Sequence, residues 1–483
     1  MSDERGMMSR EAAARGRAGL GSPFALGALL DSAASGERFS AAGLSAPAAL
    51  EKAALLAQAA RALLDGGLEP SALARVFFVP GRIEVLGKHT DYGGGRSMVA
   101  VPERGFVLAA CARRDAAVRI LAAGAGEEAR FEMHPGLAPP VGRWANYPMT
   151  VGRRLARNFA GPLRGADVAF VSDLPPAAGM SSSSALMVAV FLALSKINDL
   201  ESREEYRADI EGLESLGGYL ATIENGQSFG SLAGDKGVGT FGGSEDHTAI
   251  LCCRPNTLSQ YLYCPVRFER TVPVPGDCVF AIGASGVVAE KTGEAMEKFN
   301  RASRLVASIG EIWRRETGRR ETSLGDILAA SPSAAAQLRE LLRKRGAAPF
   351  SPRELADRFE HFVAENEEIV PAAGDALARG GLEEFGRLVD RSQAGAERLL
   401  GNQVPETVFL ARCARELGAG AASAFGAGFG GSVWALAREQ AAERFIAQWA
   451  RRYREAFPQA AARASFFLTR AGPAAFELGR SGA

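Results

Sequence analysis

Histidine and cysteine are both scarce in this chain, and neither is arranged as metal ligands usually are. Four histidines and six cysteines are spread over 483 residues with no C-x-x-C pair, so a structural zinc site is not expected. The cysteines (Cys111, Cys252, Cys253, Cys264, Cys278 and Cys413) stand in apolar surroundings and read as reduced, buried thiols of a reducing cytoplasm. Excess charge is missing too. A formal net charge of +1 argues against a nucleic acid or membrane surface held by the global field, so any anionic ligand has to be bound by local groups. No apolar run reaches the length of a membrane span. The segment Met1 to Ser22 mixes acids with arginines where a secretory leader would need an apolar core, and it reads as a frayed arm. The phosphate-binding pattern G-x-x-x-x-G-K-[ST] is also absent from any fitting position.

What is present is an ordinary globular composition, 47% hydrophobic and 23% charged. The length calls for two large domains or one with sizeable insertions. Val76 to Val79, Phe106 to Cys111, Val118 to Leu121, Arg130 to Met133 and Ala166 to Phe170 have strand character. Ala25 to Asp65, Trp144 to Phe159, Ala185 to Leu194 and Glu204 to Asn225 have helical character. Thr248 to Cys253, Tyr261 to Val266 and Cys278 to Ala284 read as further strands, and helices dominate from Ala289 to Leu417. A strand-loop-strand (Ala421 to Leu436), a helix (Glu439 to Phe457) and a strand (Ala464 to Leu468) close the chain. Without regular βαβ alternation, the expected class is α+β. The Pro273-Val274-Pro275-Gly276 turn is the expected boundary. It divides a partly helical extension (1–70) and a first domain (71–275) from a second domain (276–483).

Three stretches carry chemistry. Residues 80–95, Pro-Gly-Arg-Ile-Glu-Val-Leu-Gly-Lys-His-Thr-Asp-Tyr-Gly-Gly-Gly, crowd Arg82, Lys88, His89 and Asp91 between glycines, which allow polar groups to converge on something small. Gly179-Met180-Ser181-Ser182-Ser183-Ser184 follows a proline turn and leads into an apolar helix. Backbone N–H groups at a helix start, together with serine hydroxyls, suit a phosphate, whereas one serine would suffice as a cap. Phe425 to Ser432 holds Gly426, Gly428, Gly430 and Gly431 between β-like runs. It lacks the βαβ context of a dinucleotide fingerprint and fits a loop through which backbone approaches a ligand or another segment.

Taken in this order, the three stretches resemble the GHMP kinase superfamily, and Gly81 to Tyr92 resembles its galactokinase signature G-R-V-N-L-I-G-E-H-T-D-Y. The resemblance runs from about Val76 to the C-terminus. It implies an α+β fold of two domains, an S5-domain-2-like N-terminal half and a ferredoxin-like C-terminal half, with the active site between them. It also implies ATP and magnesium, a monosaccharide acceptor phosphorylated at its anomeric hydroxyl, with galactose the first choice, and a cytoplasmic monomer with no nucleic-acid or membrane partner. Gly179 and Ser181, Ser182, Ser183 and Ser184 would wrap the nucleotide phosphates. Ser183 and Glu224 would serve the metal. Asp246, with Gly243 three residues before it, would be the catalytic aspartate, and Gly243 would touch the sugar. Arg82 would sit between that carboxylate and the moving phosphate, while His89 and Asp91 would hold sugar hydroxyls. A carboxylate beside an arginine is expected to be ionised at neutral pH. Glu245 is the rival carboxylate, and His247 stands where the family has glutamine.

Two positions depart from the signature: Glu84 replaces asparagine and Lys88 replaces glutamate. Either the two residues compensate one another through a bend at Gly87, or Lys88 meets a substrate carboxylate and the sugar is a uronic acid. Extended backbone separates them by up to about 13 Å. A sugar sensor without catalysis and a kinase of mevalonate-like or amino-alcohol substrates are the remaining alternatives. The long loop Gly226 to Gly242 separates Glu224 from Asp246 by more than is usual for the family, which puts the metal role of Glu224 in question and offers a lid.

Overall fold

In the computed structural model, residues 21–287 and 293–479 are described. The frayed arm expected at the start of the chain falls outside them, apart from its last two residues. Three sheets organise the rest. The largest has seven strands, in the order Phe24–Ala25, Leu73–Pro80, Gly105–Ala112, Ala166–Ser172, Ala117–Ala122 and Glu127–Glu132, with Phe476–Glu477 also pairing to Leu73–Pro80. All neighbours run antiparallel except Ala117–Ala122 against Ala166–Ser172. The run Val76-Phe77-Phe78-Val79 is apolar without alternation and buried throughout, as a strand must be when both faces of its sheet are covered.

The two covers differ. The helix Ser182–Ile197, apolar on nearly every side, lies against one face within the main core. On the other face, Ala46–Asp65 sets Leu56, Ala60 and Leu63 against Val76, Phe78, Val107 and Val171. The N-terminal segment is therefore a structural layer of the sheet. Lys52 on that helix is fully buried and pairs with Asp173, which also accepts the Gly105 N–H at 2.8 Å.

The second sheet, Arg267–Pro273, Thr257–Leu262, Arg96–Ala100 and Ile83–Leu86, carries the first motif on its edge. The third comprises Ala421–Phe425, Ser432–Arg438, Cys278–Ala284 and Ser465–Thr469. Pro273 to Gly276 connects the second sheet to the third. Four helices, Gly293–Thr317, Leu324–Ala330, Ala334–Lys344 and Pro352–Val363, build a small core of their own around Trp313, Leu338, Phe359 and Phe362.

The α+β expectation holds, with local corrections. Of Thr248 to Cys253, all but the extended Cys253 is helix, part of Glu245–Cys252. Its β-branched residues invite a strand reading, but Glu245 and Asp246 in the first turn suit the positive end of a helix. Glu204 to Asn225 is two helices, Glu204–Asp209 and Leu213–Asn225, interrupted where Gly212 is fully extended. The strand expected through Val266 stops at Leu262.

Since Leu56 has no exposed surface in the layer over the sheet, Leu56→Ala should cost about 2–5 kcal/mol. A urea unfolding midpoint that does not move would show the layer to be dispensable.

Candidate active site

The strand Ile83–Leu86 ends at Gly87 (φ 96°), where a Cβ would come within 2.5 Å of the neighbouring strand, so glycine is required for the chain to turn. His89 follows in the left-handed region at φ 57°, a costly conformation for a residue with a side chain. The loop is held there from outside. Arg358, fully buried on the Pro352–Val363 helix, donates to the His89 carbonyl and, at 3.1 Å, to His361 Nδ1. Burial, with Arg358 next to it, holds the His361 imidazole well below its usual range, so the ring is neutral and able to accept. Gly93 and Gly95 lie where a Cβ would be 2.8 Å from Phe362. The glycine triplet thus admits the four-helix unit to the back of the loop.

The loop's polar face meets the start of Glu245–Cys252. Arg82 Nε donates to Asp246 Oδ1 at 2.7 Å, and Nη2 reaches the same oxygen. Glu245 Oε1 lies 3.3 Å from Nε, and Nη1 donates to the Gly179 carbonyl at 3.3 Å. Burial lowers the pKa of this guanidinium, but the charges of Asp246, Glu245 and Glu84 outweigh it and raise the value, so Arg82 stays a cation. Asp91 Oδ2 accepts the Glu245 N–H at 3.2 Å, satisfying one of the helix's unpaired donors from a distant segment. Gly243 permits this: a Cβ there would be 2.4 Å from the same Asp91 oxygen.

The serine turn meets Arg82, Glu224 and Asp246, although none of Gly179 and Ser181 to Ser184 lines the cavity those groups form. Ser181 caps the Ser182–Ile197 helix in the left-handed region (φ 58°) without a side-chain capping bond, and its buried Oγ has no hydrogen-bond partner. Ser184 Oγ donates to Glu224 Oε2 at 2.8 Å and lies 3.4 Å from Asp246 Oδ2. Thr240 also donates to Glu224, at 3.2 Å, and His247 Nε2 is 3.4 Å from it. The glycine-rich loop between Glu224 and Asp246 is pinned rather than loose. Val238 N–H bonds the Glu224 carbonyl at 2.8 Å, Arg153 bonds Asp235 at 2.6 Å, and Asn300 bonds the Phe241 N–H and the Gly239 carbonyl. Its length does not separate the two acids, and it is tied down as part of the wall. The third motif packs on the second: Gly426 could carry no Cβ, which would stand 2.6 Å from the Gly179 carbonyl, and His89 Nε2 is 3.0 Å from the Ala427 carbonyl. Gly428 and Gly430 likewise meet Asn402 and Val287 backbone closely, so this loop serves close approach between segments.

The cavity, half open to solvent, spans about 490 Å³ with the solvent at its mouth included, and is lined by Arg82, His89, Asp91, Glu224, Gly243, Glu245, Asp246 and Gly426 from the sequence reading. Glu84, Tyr92, His247, Phe299 and Ala427 also line it. Lys88 is the correction. It does not line the cavity; it is fully buried beneath it, donating to Ser423 Oγ at 2.8 Å and Ser392 Oγ at 3.1 Å. Ser392 in turn donates to Glu365 at 2.5 Å. Among the described residues no hydrogen bond joins Lys88 to Glu84, so the lysine compensates that carboxyl only through its charge, and it does not line the cavity where a substrate carboxylate would lie. Ser183 is half-buried at the turn, while its neighbour Ser184 makes the bond to Glu224. Phe299 and Arg358 carried no sequence signal, because the four-helix unit holds no recognisable motif.

Glu84 is buried, and Oε1 has no hydrogen-bond partner. Burial, opposed by the charges of Arg82 and Lys88 and reinforced by Asp246 and Asp91, pushes its carboxyl up to about 7. The folded state therefore holds a proton more tightly than the unfolded chain does. The stability this gives is complete below the ordinary 4.5 and is lost as pH rises through about 7. Wild type should thus lose stability relative to Glu84→Gln across that window; parallel urea midpoints from pH 4.5 to 8 would refute it.

Comparison with known proteins agrees with this geometry. Residues 69–112 match the galactokinase galactose-binding signature, 146–226 the GHMP kinases N terminal domain, and 375–455 the GHMP kinases C terminal family. The galactokinase of Roseiflexus sp. (strain RS-1) is 29% identical over 395 residues, covering 81% of this chain and 89% of that protein. That of Chloroflexus aggregans is 29% identical over 387 residues, covering 79% and 87%. The crystal structure of Lactococcus lactis galactokinase complexed with galactose shares the fold at a TM-score of 0.68. It is 24% identical and covers 83% of this chain and 95% of that one. With both domain families and the galactose-binding signature matched in order along one chain, the protein is similar to the galactokinase-like members of the GHMP kinase superfamily.

Proposed function

We propose that the protein is a sugar 1-kinase that transfers the γ-phosphoryl group of ATP to the anomeric hydroxyl of an aldose, with galactose as the first acceptor. One observation carries the reading. Arg82 binds the Asp246 carboxylate and the Gly179 carbonyl together, so one guanidinium ties the cavity formed by the signature loop and the carboxylate helix to the serine turn beside it. In this arrangement the sugar hydroxyl oxygen attacks the γ-phosphorus, the bond from that phosphorus to the β–γ bridging oxygen breaks, and ADP leaves. Asp246 accepts or orients the hydroxyl proton, and Arg82 compensates charge on the moving phosphoryl oxygens. The Ser182–Ile197 helix start and the unpartnered Ser181 hydroxyl offer donors to the triphosphate. Ser183 and Ser184 with Glu224 form an all-oxygen donor set of the kind magnesium uses. They are too few for a protein-only cage, which suits an ion that arrives with the nucleotide. When bound, that ion supplies charge neutralisation at the phosphates. His89 and Asp91, on the rigidly held loop, face the sugar. With Lys88 outside the cavity, a uronic acid loses the residue that favoured it. A monomer remains the expected state in solution.

Asp246→Asn should lower kcat by about 10²–10⁴-fold while leaving sugar binding measurable by calorimetry. ADP release with galactose is the assay, and near-wild-type turnover in the variant would remove Asp246 from the mechanism. Absence of ADP release by wild type with any aldose would instead favour a sensor.

A further inference from the structure

The cavity is rich in acids. Glu84, Asp91, Glu224, Glu245 and Asp246 line it, and Arg82 is the one arginine or lysine among the described lining residues. Four of the five acids have work within the protein. Asp246 and Glu245 hold Arg82, Asp91 accepts the Glu245 N–H, and Glu224 takes Ser184 and Thr240. Glu84 differs. It is only 4% exposed, it forms part of the cavity wall, and Oε1 has no hydrogen-bond partner. An unpaired buried carboxylate is costly and is tolerated where something else completes it. Lys88, four residues further along the chain, does not bond to it, because Ser392 and Ser423 hold its ammonium. Arg82 is taken up by Asp246 and Glu245.

Resting on the sugar-kinase reading, we propose that Glu84 determines specificity by receiving a cationic amino group, so that this enzyme accepts amino-substituted aldoses in preference to their neutral counterparts. A substrate ammonium beside Glu84 would supply the missing donor and offset the local excess of negative charge in a water-poor site, where such a charge-assisted hydrogen bond is strong. It would also draw the carboxyl, which burial and the neighbouring Asp246 and Asp91 push up to about 7, back to its charged form. The same charge balance disfavours uronic acids.

The test is a comparison of kcat/KM, by ADP release at pH 7.5, for galactose, galactosamine, 6-amino-6-deoxygalactose and the uncharged N-acetylgalactosamine, in wild type and in Glu84→Gln. Gln keeps the shape and an acceptor oxygen but removes the charge. Circular dichroism and ATP binding serve as checks that it folds. In wild type at least one of the two ammonium sugars should be used at least as well as galactose. In Glu84→Gln its kcat/KM relative to galactose should fall at least tenfold. The proposal is overturned if galactose exceeds both ammonium sugars in wild type, if N-acetylgalactosamine matches the preferred one, or if the ratio moves less than twofold in the variant. Calorimetric binding of the same sugars separates the two levels of inference. Preferential, Glu84-dependent binding of an ammonium sugar without ADP release would sustain the Glu84 assignment while removing the kinase reading.

Discussion

The contact on which the site depends is the pairing of Arg82 with two consecutive carboxylates at the start of the Glu245–Cys252 helix. It joins an edge strand of one sheet to a helix end more than a hundred and sixty residues later in the chain. It also places one guanidinium where it can reach the serine turn. A buried ion pair of this kind is a poor source of stability, because desolvating both charges offsets much of their attraction. Its use is geometric. Arginine's planar fork fixes the direction of approach of the carboxylate, and the Ser184 hydroxyl lies between that acid and Glu224. The carboxylates, the guanidinium and the serine hydroxyl then keep fixed separations, as the proposed phosphoryl transfer would require.

Around that contact the molecule places backbone where side chains would not fit. Gly87, Gly243 and Gly426 each occupy positions where a Cβ would come within 2.6 Å of another segment. At these points strand, carboxylate helix, serine turn and glycine loop approach to backbone distance. The cavity walls are therefore built largely from main chain, with the ionisable groups projecting from a rigid frame. The cost of the left-handed His89 and Ser181 is met by packing elsewhere.

Much of this was legible in the amino-acid order, and the reasons are local. The three glycine- and serine-rich stretches announced themselves because turns with unusual backbone demand particular residues, and those demands are visible one residue at a time. The buried strand Leu73–Pro80 and the apolar Ser182–Ile197 helix were readable from unbroken hydrophobic runs. The carboxylate helix was misread as a strand because Thr248 and Ile250 have β-type propensity, which the helix-favouring acids at its start outweigh. Lys88 was misassigned because the direction of a side chain on a bent strand depends on what lies beneath it, here Ser392 and Ser423 from remote segments. Arg358 and Phe299 could not be found at all. Their part in the site arises from how the four-helix unit sits against the loop, and no short-range pattern records that.

The hold of Arg358 on the His89 carbonyl bears on how the protein comes into being. The sugar loop leaves the ribosome early, yet the guanidinium that keeps its backbone in the left-handed region is encoded 269 positions later. A nascent chain that has made the first six strands of the large sheet still lacks that hold, and the seventh strand, Phe476–Glu477, is made later than the helical unit. The shape of the loop is therefore set only once the helical unit has docked.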